Sequence, residues 1–279
     1  MESSCIPIYK VLILFLIISV FSTSIPIEKM EKYSPFQDFQ KQCYVINLDR
    51  RPERLQSFEY ELSKSDLSND YFRVQAVDGA NVDLNAESLS VSARDDLIEV
   101  EKLGYRNKHY QLTKGAIGCY KSHIRVWKQI MSDPNIDVAL VFEDDTKVPH
   151  DLQQLINTKM NHAPPDWDIV LLGLSCHSCS GISENKDFLK VNRFWLTHAY
   201  LINRNAIQKI FDAEILYPIT QQIDALLSDA SSHINICALS SNPVRQNTFQ
   251  TDIQAPIKKK PGIDTMISMN NFLKTRKQN

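Results

Sequence analysis

Three consecutive carboxylates, Glu143-Asp144-Asp145, are the strongest chemical signal in the sequence. They follow an apolar run, residues 138–142, that is typical of a buried strand. Along an extended chain Glu143 and Asp145 point to one face and Asp144 to the other, so the outer pair can share a hard cation, Mn²⁺ or Mg²⁺. Mutual repulsion among three acids favours a bound cation, but the triplet taken alone fits a solvated turn equally well.

Alternating strands and helices position this triplet. The predicted strands are Tyr44–Leu48, Tyr71–Val77, Val138–Phe142, Asp168–Leu172 and Phe194–Ile202, and the predicted helices follow Pro52 and Thr113 or cover Pro149–Met160, Ala206–Phe211 and Gln221–Leu227. The polar stretch between residues 80 and 111 is left without an element. This order predicts an α/β sheet whose ligands bind in the crevice beyond the carboxyl ends of the strands.

Polar residues follow the first two predicted strands. Asn47, Asp49 and Arg54 come after the first strand, and Asp78-Gly79 comes after the second. At the carboxyl edge of the sheet these groups can hydrogen-bond a nucleotide. The alternative is helix capping by Asp49 and surface ion pairing by Arg54.

The helix after Thr113 offers a second set of candidates for nucleotide binding. Gly115 and Gly118 near its start allow close backbone approach, and a helix N-terminus favours anionic phosphate. Lys114, Ser122 and His123 are possible hydrogen-bond donors to that phosphate. For His123 the alternative is a satisfied, half-buried side chain.

Four blocks in this order resemble glycosyltransferase family 25, which contains bacterial lipooligosaccharide galactosyltransferases and animal collagen galactosyltransferases. The blocks are Tyr44-Val-Ile-Asn-Leu-Asp-Arg-Arg-Pro-Glu-Arg54, Phe72-Arg-Val-Gln-Ala-Val-Asp-Gly79, Leu112-Thr-Lys-Gly-Ala-Ile-Gly-Cys-Tyr-Lys-Ser-His123 and Leu140-Val-Phe-Glu-Asp-Asp145. Each block is modest alone, but their order and spacing make the match specific over residues 43 to 255.

The resemblance implies a GT-A type α/β fold and inverting transfer of a hexose, with galactose as the expected sugar, from a UDP-sugar donor to a glycan or protein hydroxyl. A cation held by Glu143 and Asp145 would neutralise the diphosphate leaving group. Inversion needs a carboxylate base, for which Asp224 is the candidate and Asp144 the rival. Weak family likeness places Gln246 and Asp252 on the acceptor side.

Two other functions are compatible with the same residues. One is a catalytically silent lumenal or extracellular binding protein on the same fold. The other is a metal-dependent phosphoesterase, which ranks last because the further His and Asp ligands of a two-metal site are missing as motifs. With 31 basic and 33 acidic residues the chain has a formal charge of −2, which argues against a nucleic-acid partner.

The N-terminus predicts entry into the secretory pathway. Lys10 precedes an apolar run at residues 11–21, and Ser22 and Ser24 fit a cleavage site. We expect a signal peptide or an uncleaved anchor at residues 1–24, a stem or linker at 25–42, one transferase domain at 43–255 and a tail at 256–279. The protein is then placed in the ER or Golgi lumen or outside the cell, and it meets a membrane only if the leader stays uncleaved.

Cysteine spacing fits an oxidising compartment. Cys176 and Cys179 stand three residues apart, but no second pair at metal-ligand spacing accompanies them, which argues against structural zinc. A local or longer-range disulfide is expected, and a plain loop is the alternative.

Overall fold

The central sheet forms from the short apolar runs that alternate with helices. A computed structural model describes residues 41–108, 110–183 and 185–257. Within these residues six strands are ordered β2-β1-β3-β6-β5-β7, and a separate two-stranded ribbon joins β4 and β8. The strands are β1 (Lys41–Asn47), β2 (Phe72–Gln75), β3 (Val138–Glu143), β4 (Thr146–Lys147), β5 (Ile169–Ile182), β6 (Asn185–Asn203), β7 (Ile236–Leu239) and β8 (Arg245–Gln246).

The described part of the chain contains six α-helices in addition to the strands. They are α1 (Pro52–Ser63), α2 (Val91–Leu103), α3 (Lys114–Ser132), α4 (Leu152–Met160), α5 (Arg204–Asp212) and α6 (Ile223–Asp229). The Thr113 hydroxyl accepts a hydrogen bond from the Ala116 N–H and so caps α3, as the sequence predicts. Together these elements confirm the mixed α/β class.

Strand pairing brings the acidic triplet next to the end of β1. Strands β2, β1 and β3 are parallel neighbours, and Ile46 stands opposite Glu143. The Asp144 N–H donates to the Ile46 carbonyl at 3.1 Å. Because parallel strands end at one edge, the residues after β1, β2 and β3 share one crevice, as expected.

Two hydrophobic layers hold the sheet. On one face α3 buries Tyr120 and Trp127, and the Trp127 indole N–H donates to the buried Tyr200 hydroxyl at 3.1 Å. On the other face Phe58 of α1 packs against Phe142 of β3, with 5.4 Å between ring centroids. Helix α1, which carries Arg54, and helix α3, which carries Ser122 and His123, are therefore fixed by core packing.

The polar stretch that carries no predicted element contains α2. Ser90 caps this helix and Gly104, with a φ of 70°, ends it. Ala93, Leu97 and Val100 form its buried stripe, which is too narrow to stand out among the surrounding charges. Strand β7 also escapes prediction, because a four-residue run gives little periodic signal.

Strands β5 and β6 extend into a long hairpin, well past the predicted runs. The outer half of this hairpin is rich in polar residues and shows no regular alternation of polar and apolar side chains. The hydrophobic pattern therefore ends before the two strands do. Cys176 and Cys179 form a disulfide within β5, which confirms the local disulfide. Such a bond suits an oxidising compartment.

The predictions for the leader at 1–24, for the stem up to residue 40 and for the tail from residue 258 lie outside the described residues. Strand β1 begins at Lys41, inside the segment that the sequence assigns to the stem. Among the described residues no helix has the length and apolar character needed to cross a membrane.

Close packing between backbones explains Gly118. A Cβ atom built on Gly118 would lie 2.5 Å from the Val77 carbonyl oxygen and 2.8 Å from the Gly79 nitrogen. Both neighbours are backbone atoms, which cannot rotate away as a side chain can. The loop after β2 therefore lies directly on α3.

We expect Gly118→Ala to lower the free energy of unfolding by about 1–3 kcal/mol, because the added methyl group forces backbone atoms apart. Urea unfolding followed by circular dichroism measures this loss. Gly181→Ala is the matched control, since a Cβ at Gly181 meets no atom within 4 Å. Equal stability of the two variants would contradict the packing argument.

Candidate active site

Glu143 ends β3 with its carboxylate turned towards α3 and β6. Glu143 Oε1 accepts a hydrogen bond from the Thr197 hydroxyl at 3.1 Å and lies 3.5 Å from His123 Nε2. Burial opposes ionisation of this carboxyl, but His123, together with His198 and Thr197, outweighs burial and lowers its pKa. Glu143 is therefore a buried anion that His123 and Thr197 hold in place.

Arg54 of α1 contacts the other two acids of the triplet. Its Nη2 lies 2.5 Å from Asp144 Oδ1 and 2.8 Å from Asp145 Oδ2. Burial raises the pKa of Asp144 to about 6 despite the opposing effects of Arg54 and Asn47. Burial and the charge of Glu143 raise the pKa of Asp145 to about 7. The carboxylates of Asp144 and Asp145 are thus held close to that of Glu143, and the Arg54 guanidinium compensates only part of their negative charge.

Asn47 supports Asp144 from behind. Its Nδ2 donates to Asp144 Oδ2 at 2.7 Å and to the Arg51 carbonyl at 3.0 Å, while its Oδ1 accepts from Arg73 at 2.8 and 2.9 Å. Asn47 is 1% exposed. Both Asp144 oxygens are therefore engaged, one by Arg54 and one by Asn47, and Asn47 acts as a positioning residue.

Two cavities meet at the carboxyl edge of the sheet. The smaller, about 500 Å³, lies between the ends of β1 and β2 and α3, and the larger, about 840 Å³, lies between β3, α6 and the segment after β8. Arg54, Glu143 and Asp252 line both. Asp144 faces the smaller cavity, and Asp145 and Asp224 face the larger one.

Of the predicted nucleotide-binding residues, Arg54, Gly79, Gly115, Ser122 and His123 line the smaller cavity. The Ser122 hydroxyl accepts from the Val77 N–H at 2.8 Å and donates to the Gly118 carbonyl at 2.7 Å. His123 Nδ1 shares a hydrogen bond of 2.9 Å with the Tyr200 hydroxyl. These side chains shape the cavity through bonds to the protein itself.

The remaining predicted donor residues lie outside this cavity. Asp49 pairs with Arg73 at 2.6 Å, and Asp78 pairs with Arg50 at 2.6 Å, along an outer groove. Lys114 forms an ion pair with Glu101 at 2.8 Å. The alternative roles considered for Asp49 and Arg54 are both wrong. Arg51, not Asp49, occupies the N-cap position of α1, and Arg54 is buried and is not a surface charge.

The space at the two helix glycines of α3 is filled by the protein's own backbone. Gly118 lies against the loop after β2, and a Cβ at Gly115 would overlap the Asp252 carbonyl. The N-terminal turn of α3 is thus covered by a segment of the same chain, and Thr113 donates its hydroxyl to the Ile253 carbonyl there.

Asp224 lies in the first turn of α6 and faces the larger cavity. Its Oδ2 accepts from the Leu196 N–H at 3.1 Å and its Oδ1 from the Ala225 N–H at 2.8 Å. The side chain is nearly enclosed, with the residue 9% exposed, and burial raises its pKa. Leu196 has a φ of 78°, a strained conformation that persists where surrounding contacts fix it.

Arg50 and Arg51 are not among the site residues predicted from the sequence, but they lie at the site. Arg50 Nη1 lies 2.6 Å from Asp252 Oδ1, Arg51 pairs with Asp252 Oδ2, and Arg54 Nη1 lies 3.1 Å from Asp252 Oδ2. Asp252 thus lies among three guanidinium groups. The other residue predicted for the acceptor side, Gln246, has its Nε2 3.4 Å from Asp145 Oδ1. The signal available in the sequence is the density of arginines between residues 50 and 54.

Two sets of side chains offer ligand atoms for a cation. Ligand atoms of Cys119, His123 and Glu143 lie within 4.8 Å of one another. Burial raises the pKa of the Cys119 thiol well above its usual range, and sulfur is a soft donor that Mn²⁺ and Mg²⁺ do not prefer. Glu143 and Asp145 line one cavity with carboxylate oxygens, the donor type that Mn²⁺ and Mg²⁺ prefer. The second set fits a hard cation.

Comparison with known proteins finds relatives named as galactosyltransferases and relatives named as inactive members of the glycosyltransferase 25 family. Procollagen galactosyltransferase 1-A of Xenopus laevis is 27% identical over 224 residues, which cover 73% of this chain and 35% of that protein. Inactive glycosyltransferase 25 family member 3 of Homo sapiens is 30% identical over 138 residues, 47% of this chain and 21% of that protein. The chain therefore spans about a third or less of the length of these relatives.

A solved structure, A197 from STIV, aligns with a TM-score of 0.40 at 16% identity and covers 80% of this chain and 100% of that chain. A likeness of this size carries no argument about the fold. The family model for glycosyltransferase family 25 (LPS biosynthesis protein) matches residues 40–227. Because this match covers more than half of the chain, the protein belongs to glycosyltransferase family 25.

Proposed function

We propose that the protein transfers a hexose, with galactose as the first candidate, from a UDP-sugar to an acceptor hydroxyl with inversion, on a GT-A type fold. One observation carries this proposal: the acidic triplet ends β3 in a crevice that also holds the buried carboxylate of Asp224. Membership of family 25 and a relative named procollagen galactosyltransferase support glycosyl transfer.

Glu143 and Asp145 are the residues that would hold Mn²⁺ or Mg²⁺. When bound, the cation neutralises negative charge on the diphosphate leaving group. Burial, together with the charges of Glu143 and Asp144, raises the pKa of Asp145, so a cation that offsets these charges would favour the ionised carboxylate. His123 and Thr197 keep the Glu143 carboxylate ionised and oriented.

Asp224 is the proposed base. It takes the proton of the acceptor hydroxyl, whose oxygen forms a bond to the anomeric carbon on the face opposite the diphosphate. The bond from that carbon to the diphosphate oxygen breaks, and UDP leaves with the electron pair. Both carboxylates have both oxygens bonded, but Asp224 accepts from two neutral backbone N–H groups, whereas the rival, Asp144, is paired with the Arg54 cation, which opposes its taking up a proton.

The smaller cavity is the proposed place of the uridine and ribose, with Gly79, Ser122 and His123 in its wall and Arg54 at its junction with the larger cavity. Asp49, Asp78 and the N-terminal turn of α3 with Lys114 and Gly118 flank that cavity. The larger cavity is then left for the sugar and the acceptor, with Gln246 beside Asp145.

We propose a glycan or protein hydroxyl as the acceptor and the lumen of the secretory pathway, or the extracellular space, as the location. The name of the Xenopus laevis relative suggests a procollagen hydroxyl as the first protein acceptor to test. The disulfide between Cys176 and Cys179 supports an oxidising compartment.

A catalytically silent binding protein is the second candidate. Two observations favour it: Arg54 pairs with Asp145, a proposed cation ligand, and a human relative is named inactive. Measurements of UDP binding and of UDP release separate the two candidates, since a silent protein does not release UDP from a UDP-sugar, whether or not it binds UDP.

We expect the purified protein with Mn²⁺ to release UDP from UDP-galactose faster than from other UDP-sugars. EDTA or Asp145→Ala should lower this rate at least about 100-fold, because the leaving group loses its charge neutralisation. Asp95→Ala, at an acidic position on α2, serves as the control and should retain the rate. Release that survives both EDTA and Asp145→Ala would contradict the cation site.

We expect Asp224→Asn to lower kcat about 10²–10⁴-fold while the Kd for UDP stays unchanged, because the amide cannot accept the proton but can still accept a backbone N–H. Asp229→Asn, on the exposed end of the same helix, is the matched control. If Asp144→Asn abolishes transfer and Asp224→Asn does not, the base is Asp144.

A further inference from the structure

Asp252 occupies the position of a bound anion. Its Oδ1 lies 2.6 Å from Arg50 Nη1, and its Oδ2 contacts both Arg51 and Arg54. The Asp252 side chain is 13% exposed, so this carboxylate is largely withdrawn from water. Forks of guanidinium N–H groups around two anionic oxygens are the arrangement that proteins use for carboxylates and phosphates alike.

The segment that carries Asp252, residues 247–257, forms a strap over the crevice. At one end the Asn247 N–H donates to the Asp145 carbonyl at 2.6 Å, and at the other the Arg106 N–H donates to the Pro256 carbonyl at 2.8 Å. Between these anchors the strap lines both cavities. The strap lies beyond residues 40–227, the part of the chain that matches the family model.

Arg54 lacks one hydrogen bond that its surroundings call for. Its Nε is buried without a hydrogen-bond partner among the described residues, and the residue is 7% exposed. A buried guanidinium N–H of this kind points to an acceptor oxygen that the protein itself does not supply. Because Arg54 lines both cavities, a ligand in the crevice can provide that oxygen.

We propose that Arg50, Arg51 and Arg54 form a binding site for the diphosphate of the nucleotide donor, and that Asp252 occupies this site until the donor displaces the strap. This inference rests on the proposed function. A diphosphate offers more anionic oxygens than one carboxylate, and Asp252 competes with it for the same N–H groups. The apparent affinity for the donor is therefore reduced by the fraction of molecules in which the strap holds the arginines.

Calorimetric titration with UDP and with uridine tests the competition in the full chain. Asp252→Asn should tighten UDP binding roughly tenfold and leave uridine binding unchanged, because uridine carries no phosphate. Asp212→Asn removes the same charge at the end of α5 and should leave both affinities unchanged. An unchanged or weaker affinity of Asp252→Asn for UDP overturns the inference while the proposed function stands.

Hydrogen exchange on the unmodified protein gives an independent measurement. The amides of Ile253 and Gln254 donate to the Thr251 hydroxyl within the strap. UDP should speed exchange at these amides, and uridine should not. Slower exchange with UDP overturns strap displacement. If neither the unmodified protein nor Asp252→Asn binds UDP, both this inference and the proposed donor fail.

Discussion

The carboxyl edge of this sheet depends on one guanidinium group. Arg54 contacts Asp144, Asp145 and Asp252, which come from the end of β3 and from the strap. Burying these charges costs desolvation energy that an ion pair only partly returns, so the pairing contributes little net stability. The consequence of this pairing is geometric, because the three carboxylates can lie close together only while the positively charged Arg54 guanidinium lies between them.

Backbone packing imposes the second constraint. The loop after β2 lies on α3 at Gly118, and the strap lies on the same helix at Gly115. Two segments far apart in the chain therefore reach the first turns of α3 without side chains between them. The narrowness of the smaller cavity follows from these contacts, and so does the position of Asp252 opposite the arginines.

The sequence predicts those parts of the fold that local periodicity specifies. The strand before the acidic triplet, the helix capped by Thr113 and the shared carboxyl edge all follow from apolar spacing. Helix α2 is missed because its buried stripe is narrow. The partners of Arg54 and Asp252 are separated from them by 90 residues or more, and no spacing rule reports such pairs.

Residue chemistry alone also assigns equivalent roles to groups that the fold places in different surroundings. Arg54 and Asp78 are equivalent nucleotide candidates in the sequence, yet Arg54 lies between the cavities and Asp78 lies on an outer groove. Glu143 and Asp145 are an equivalent pair in the sequence, yet Glu143 bonds Thr197 and Asp145 meets Arg54. Such differences arise because different elements of the fold pack against the two sides of each strand end.

Shared use of Arg54 couples the two binding events of the proposed reaction. If donor oxygens engage Arg54, its hold on Asp144 and Asp145 weakens, and the uncompensated charge around Asp145 increases. A cation beside Asp145 and Glu143 then gains more by binding than it does in the donor-free protein. Linkage is reciprocal, so the cation must raise the affinity for the donor by the same factor. In the proposed reaction, an arginine shared between Asp252 and the cation ligand Asp145 would therefore make donor and cation binding cooperative.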